Sequence, residues 1–104
     1  MIYRLKRKSD FDKLFSKGKK GFSKSLTMLY FPSNEFKIGY SVSKKHGNAV
    51  KRNKIKRLLR ASARVAFSDL KKNYRIVILP KVRESYSFDT FVADLNYLKK
   101  KENL

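Results

Sequence analysis

Phe36-Lys37-Ile38-Gly39-Tyr40-Ser41-Val42-Ser43, then Lys44-Lys45-His46-Gly47-Asn48, then Ala49-Val50-Lys51-Arg52-Asn53-Lys54-Ile55-Lys56-Arg57-Leu58-Leu59-Arg60, contains the change of period on which the fold turns. Phe36, Ile38, Tyr40 and Val42 alternate with Lys37, Gly39, Ser41 and Ser43, the two-residue period of a half-buried strand. From Ala49 to about Leu70 the positions Ile55, Leu58, Leu59, Ser62, Ala66 and Leu70 fall instead on one side of a helical wheel. A strand therefore feeds a long amphipathic helix.

Toward the C-terminus, Lys71-Lys72-Asn73 ends that helix, and Tyr74 to Leu79 is an apolar, β-branched run that reads as a buried strand stopped at Pro80. A final helix is predicted with Ser87 as cap and Phe88, Phe91, Val92, Leu95 and Leu98 as its stripe. Toward the N-terminus, Ser25 to Phe31 is rich in strand formers and Pro32-Ser33-Asn34-Glu35 reads as a turn, giving a hairpin with the Phe36 strand. Gly21 to Lys24 is open between loop and a short separate strand. Ser9-Asp10-Phe11-Asp12 reads as a helix start with Ser9 capping, and Gly18 sits where a left-handed stop is expected. Phe11, Leu14 and Phe15 give this short helix an aromatic stripe. The order is α, two or three strands, α, β, α: one α+β sandwich domain over residues 1–104, its helices packed on a single sheet.

A chain of 104 residues that is 41% hydrophobic suits one modest core. Its 27 Lys and Arg against 8 Asp and Glu give a formal charge of +19, which opposes compaction unless a polyanion screens it. Nucleic acid, an anionic membrane surface or an acidic protein could each supply that screening. With no cysteine, disulfides, thiolate metal sites and thiol catalysis are excluded. No apolar run approaches the roughly 18–20 residues that span a bilayer, and the N-terminus lacks the apolar core of a signal peptide, so the expectation is a soluble, cytoplasmic chain without a membrane partner.

The placement of charge narrows the partner. No acid lies between Glu35 and Asp69, while Lys37, Lys44, Lys45, Lys51, Arg52, Lys54, Lys56, Arg57, Arg60 and Arg64 all do. The wheel puts Arg52, Lys56 and Arg60 with Asn53 on one flank of the long helix, and Arg57, Arg64 and Lys54 continue round its polar surface. A merely solvated face normally interleaves acids for pairing within the helix; here none does so. Asn53 can both donate and accept, as base edges and 2′-hydroxyls require. Lys44 to Asn48 ends at a helix N-terminus, where free N–H groups favour a phosphate; the alternative is Asn48 as a plain cap beside an exposed His46. Phe11, Phe15, Tyr30 and Tyr40 offer either stacking faces, worth about 1–3 kcal/mol per base, or core packing. Phe11 and Phe15 are the better stacking candidates, because their helix is too short to need two rings for attachment.

An active site is harder to find. Asp10 and Asp12 point to different helix faces, Asp89 and Asp94 sit on the last helix, and His46 has no evident partner, so no catalytic and no metal-ligating residue is assigned.

Ser41 through Arg60 closely resembles the signature of the bacterial ribonuclease P protein family. Arg52-Asn53-Lys54 stands where that family carries its Arg-Asn-Arg box; Lys54 keeps the charge but lacks the planar fork. Leu5-Lys6-Arg7, Asp10-Phe11 and Leu14-Phe15 resemble the family's first helix, His46 replaces a usual apolar residue, and after Pro80 only the pattern is similar. The resemblance implies an α-β-β-β-α-β-α fold with a left-handed β-α-β crossover, against the usual hand. It implies a subunit of a ribonucleoprotein endoribonuclease that removes the 5′ leader of precursor tRNA. The RNA subunit would perform the hydrolysis with Mg²⁺ bound mainly by that RNA, and a monomeric, non-catalytic protein would join it in a 1:1 complex. Phe11, Phe15, Ser41, Lys45, Arg52, Lys56 and Arg60 would line a cleft for the single-stranded leader between sheet, first helix and long helix. Lys54, Arg57 and Arg64 would meet the catalytic RNA, with Lys44, Lys51 and Asn53 completing the RNA-binding set. A ribosomal protein is the competing class, separated by its RNA target; a protein-only nuclease fails on its carboxylates.

Overall fold

The structure, a computed structural model, describes residues 3–5 and 7–104; Lys6 of the first-helix resemblance lies outside them. Along the chain run β1 (Tyr3–Arg4), α1 (Lys8–Lys17), β2 (Lys19–Phe22), β3 (Leu26–Pro32), β4 (Lys37–Tyr40), a 3₁₀ turn (Lys44–His46), α2 (Ala49–Ala66), β5 (Tyr74–Pro80) and α3 (Phe88–Lys101). The expected α-β-β-β-α-β-α order is present, with the two-residue β1 added before it. Gly21 and Phe22 do belong to a separate strand.

One mixed sheet has the order β1-β4-β5-β3-β2. β2 and β3 pair antiparallel, as do β3 and β5, while β4 and β5 run parallel with α2 crossing between them; the hairpin expected between the Ser25–Phe31 and Phe36 strands does not form, because β5 inserts between β3 and β4. Strand alternation sorts the side chains into two faces. Leu26, Met28, Tyr30, Ile38, Ile76 and Ile78 meet Ile55, Leu59, Ala63 and Ala66 of α2 and Phe91, Leu95 and Leu98 of α3. On the opposite face Leu29 and Val77 meet Leu5 and Leu14, bordered by Phe11, Phe31 and Leu79. Fully buried side chains such as Leu59, Ile76 and Leu95 each contribute about 1.5–3 kcal/mol by leaving water. Ser62 sits on the apolar stripe of α2 because its hydroxyl donates to the Leu58 carbonyl at 2.7 Å.

Several element ends differ from the pattern, among them β4, which stops at Tyr40, short of Val42, and β5, which takes in Pro80. α1 begins at Lys8, because the Arg7 carbonyl accepts from the N–H groups of Asp10 and Phe11; Ser9 lies inside the first turn and caps nothing. Gly18 is extended, not left-handed. It is small for want of space, since a Cβ there would lie 2.6 Å from the Leu14 carbonyl oxygen. α2 stops at Ala66, where Phe67 turns into the core, and Leu70 reaches that core from beyond the helix. The Ser87 cap holds: its side chain accepts from the Thr90 N–H.

Candidate nucleic-acid interface

The link into α2 is built around Gly47, whose φ of 115° is left-handed territory that glycine enters without strain. A Cβ at this position would also lie 2.8 Å from Lys51 Cδ. Asn48 then caps the helix, its Oδ1 accepting from the Lys51 N–H at 2.9 Å. His46 is buried, contrary to the expectation of an exposed, unpartnered imidazole. Its Nε2 donates to the Pro80 carbonyl at 2.9 Å, and Tyr86 lies alongside with ring centroids 6.3 Å apart. Sequence spacing concealed this, because the partner carbonyl is far along the chain. Lys44 and Lys45 are exposed on the same link.

Along α2, Arg52, Lys56 and Arg60 are half-buried on the flank that borders the sheet, while Lys51, Asn53, Lys54, Arg57 and Arg64 are exposed. The Arg60 guanidinium lies 6.0 Å from the centroid of Tyr40, within cation–π range. Burial pushes the Tyr40 phenol up to about 12, while the nearby charges of Arg60, Arg64 and Arg4 pull the other way. Lys51 and Lys54 lie on the other flank, beside a cavity of about 180 Å³ closed by Glu84, Ser85 and Tyr86. Among the described residues the ion pairs are Lys37 with Glu35, Arg75 with Asp10 and Lys99 with Asp69; none uses a cation of α2.

The aromatic candidates separate. Tyr30 is a core residue whose hydroxyl donates to Glu102 at 2.6 Å; burial and that carboxylate push its phenol up to about 12. Phe11 is half-buried with its ring against Gly39, where a Cβ would come within 2.5 Å of Phe11 Cζ. A side-chain-free position within an alternating strand was the one sequence signal of this seat. Phe15 remains 43% exposed and is the open ring on α1. The residues expected to line one cleft therefore divide between two faces of the sheet: Phe11, Phe15 and Ser41 on the α1 face, Arg52, Lys56 and Arg60 on the α2 face. They approach each other at the end of β4, where Gly39 faces α1 and Tyr40 faces α2.

Five of the acids are engaged away from α2: Glu35, Asp10 and Asp69 in ion pairs, Asp94 with the N–H and hydroxyl of Ser25, and Glu102 with Tyr30. No three His, Cys, Asp or Glu side chains cluster as metal ligands among the described residues.

These features define a small α+β sandwich whose crossover helix is cationic and, among the described residues, makes no ion pair. Residues 2–103 match the family model described as Ribonuclease P. The chain is 38% identical over 112 residues to the ribonuclease P protein component of Clostridium botulinum (strain Eklund 17B / Type B), covering 96% of this chain and 89% of the relative. It is 36% identical over 107 residues to that of Caldanaerobacter subterraneus subsp. tengcongensis, covering 99% and 91%. The solved ribonuclease P protein of Thermotoga maritima superposes with a TM-score of 0.81 at 30% identity, covering 93% of this chain and 96% of that one. The Staphylococcus aureus protein gives 0.82 at 28% identity, covering 96% and 94%. The chain belongs to the ribonuclease P protein family. As a ribonuclease P protein component it is a subunit of a ribonucleoprotein endoribonuclease, and the ribosomal alternative falls away. Among the described residues no helix is long and apolar enough to cross a membrane.

Proposed function

We propose that the protein binds the catalytic RNA of ribonuclease P and the 5′ leader of precursor tRNA, and so assists endonucleolytic removal of the leader. The observation that carries this reading is the α2 surface, where, among the described residues, a run of Lys and Arg forms no ion pair with an acid. Such cations are free to neutralise phosphates and release counterions. Arg52, Lys56, Arg60, Ser41, Lys44 and Lys45 serve the leader side together with the open ring of Phe15. Arg57, Arg64 and Asn53 turn outward toward the catalytic RNA, and Lys51 and Lys54 reach it from the opposite flank.

The hydrolysis belongs to the RNA subunit, with Mg²⁺ held mainly there, a reading supported by carboxylates that form no metal-ligating cluster among the described residues. The protein acts in the cytoplasm as a monomer in a 1:1 complex, in keeping with a charge that repels a second copy. Reconstitution with a bacterial ribonuclease P RNA at low Mg²⁺, scoring cleavage of precursor tRNA, tests the reading. Cleavage at the mature 5′ end should require both components, and protein that leaves the RNA's activity unchanged overturns it.

A further inference from the structure

The α1 face of the sheet is only partly covered. Leu14 and Phe11 lie over Leu29, Val77 and Gly39. One row further along, Phe22 pairs with Thr27 and Thr27 with Leu79, and Ser41 continues the row through its N–H bond to the Ile78 carbonyl at 2.9 Å. Phe22 points to this face, since its neighbour Gly21 abuts Leu98 and Glu102 of α3 on the other. Thr27, Leu79 and Ser41 are half-buried, and Phe22 is 56% exposed. A shallow strip of sheet thus runs from Ser41, beside the cationic link, to the free edge of β2.

Phe22, the last residue of the strip, also borders a cavity of about 580 Å³ that wraps round the β2–β3 turn to α3 on the other face, lined further by Ser23, Lys24, Lys81, Asp94 and Tyr97. Tyr97 is 53% exposed, with Lys101 Nζ 5.7 Å from its ring centroid. Lys81 Nζ donates to the Ser23 carbonyl, and Asp94 Oδ2 already accepts from Ser25. The cavity therefore presents two open aromatic rings among cations, with its one carboxylate engaged. Rings that accept any base by stacking, flanked by charges that hold the phosphates between, are the chemistry of single-stranded nucleic-acid binding.

We propose that this edge cavity is a second nucleotide site, in which Phe22 and Tyr97 hold an unpaired base of the strand that enters beside Ser41. The inference rests on the leader-binding reading and extends it along the sheet. Three inter-strand steps separate Ser41 from Phe22, about 14 Å, room for roughly two to four nucleotides.

The test measures affinity of the reconstituted holoenzyme for precursor tRNAs whose leaders lengthen one nucleotide at a time, at fixed salt and Mg²⁺. Wild-type affinity should rise in two increments. Phe22→Ala and Tyr97→Ala should each lose only the second, by roughly 5- to 100-fold, with unchanged melting curves; Phe22→Trp should restore it. Variants that keep the wild-type length profile, or that weaken short and long leaders alike, overturn the edge site while leaving the leader reading intact. A wild-type affinity that ignores leader length overturns the leader reading itself.

Discussion

The Nε2 atom of His46 lies 2.9 Å from the carbonyl oxygen of Pro80, fastening the link that precedes α2 to the last residue of β5. A carbonyl only accepts, so Nε2 carries the hydrogen of this bond, while Nδ1 lies 3.3 Å from the Ser43 carbonyl oxygen and 3.5 Å from its hydroxyl. His46→Ala should leave the Pro80 oxygen without its partner and cost about 1–3 kcal/mol in urea unfolding. RNA affinity should fall with it, because Lys44 and Lys45 ride on the same link. His46→Gln, whose amide can donate to the same oxygen, should recover part of both. Equal losses for the two variants would show that ring packing against Tyr86, not the hydrogen bond, holds the link.

Gly39 and Phe11 form a tight pair, and Gly39→Ala would set a methyl 2.5 Å from Phe11 Cζ and 3.0 Å from Leu5 Cβ. Overpacking of this kind typically costs about 1–3 kcal/mol, read as a lower melting temperature. Phe11→Leu should relieve part of the cost, so the double variant should melt above the value expected from adding the single effects. Strict additivity would argue that the ring is free to move aside.

Phe15, by contrast, should be dispensable to folding. Phe15→Ala is expected to leave the melting curve nearly unchanged while weakening precursor tRNA by about 1–3 kcal/mol relative to mature tRNA, which has no leader. A variant that melts much earlier but keeps the wild-type affinity ratio would return Phe15 to a packing role.

Lys56 and Arg60 lie on the same flank without acidic partners. Neutralising both should flatten the plot of log affinity against log salt by roughly one to two units, at about 0.7 per phosphate contact on a single strand. An unchanged slope would remove both from the interface.

Alkaline titration addresses the tyrosines. Burial raises the phenols of Tyr30 and Tyr40 from about 10 to about 12. A raised folded-state value means that the stability from these groups is complete below pH 10 and is lost as pH climbs through 12. Absorbance titration of tyrosinate should show a late step near pH 12, and Tyr40→Phe should diminish it. The variant should also retain more of its stability between pH 10 and 12 than wild type, by on the order of 1–2 kcal/mol. Identical titration curves would place the Tyr40 hydroxyl in water.

Much of this architecture was legible in the sequence because burial imposes a period. Ile76 and Ile78 on β5, Ile55 and Leu59 on α2, and Phe91, Leu95 and Leu98 on α3 mark their elements, and the Asn48 and Ser87 caps need only local chemistry. β1 escaped, since two residues pairing in parallel with Lys37 and Ile38 carry no period. Within the candidate interface the charges of α2 were readable, because no acid interrupts them. The sorting of Phe11 from Phe15 was not, for it depends on Gly39, which α1 meets only after the sheet has formed. The commitment of His46 was hidden for the same reason.

The strand order β1-β4-β5-β3-β2 has a consequence for the birth of the chain. β5 is the last strand to be synthesised, yet it lies between β3 and β4 and supplies side chains to both layers of packing. Before Tyr74–Pro80 leaves the ribosome, β2 and β3 can close as a local hairpin, but β4 has no neighbour through which to join them. α2, though already made, has no completed sheet to fold against, and its cations emerge on loose chain. Folding is therefore expected as one late, cooperative closure rather than a vectorial build-up from the N-terminus, with β5 as the closing piece.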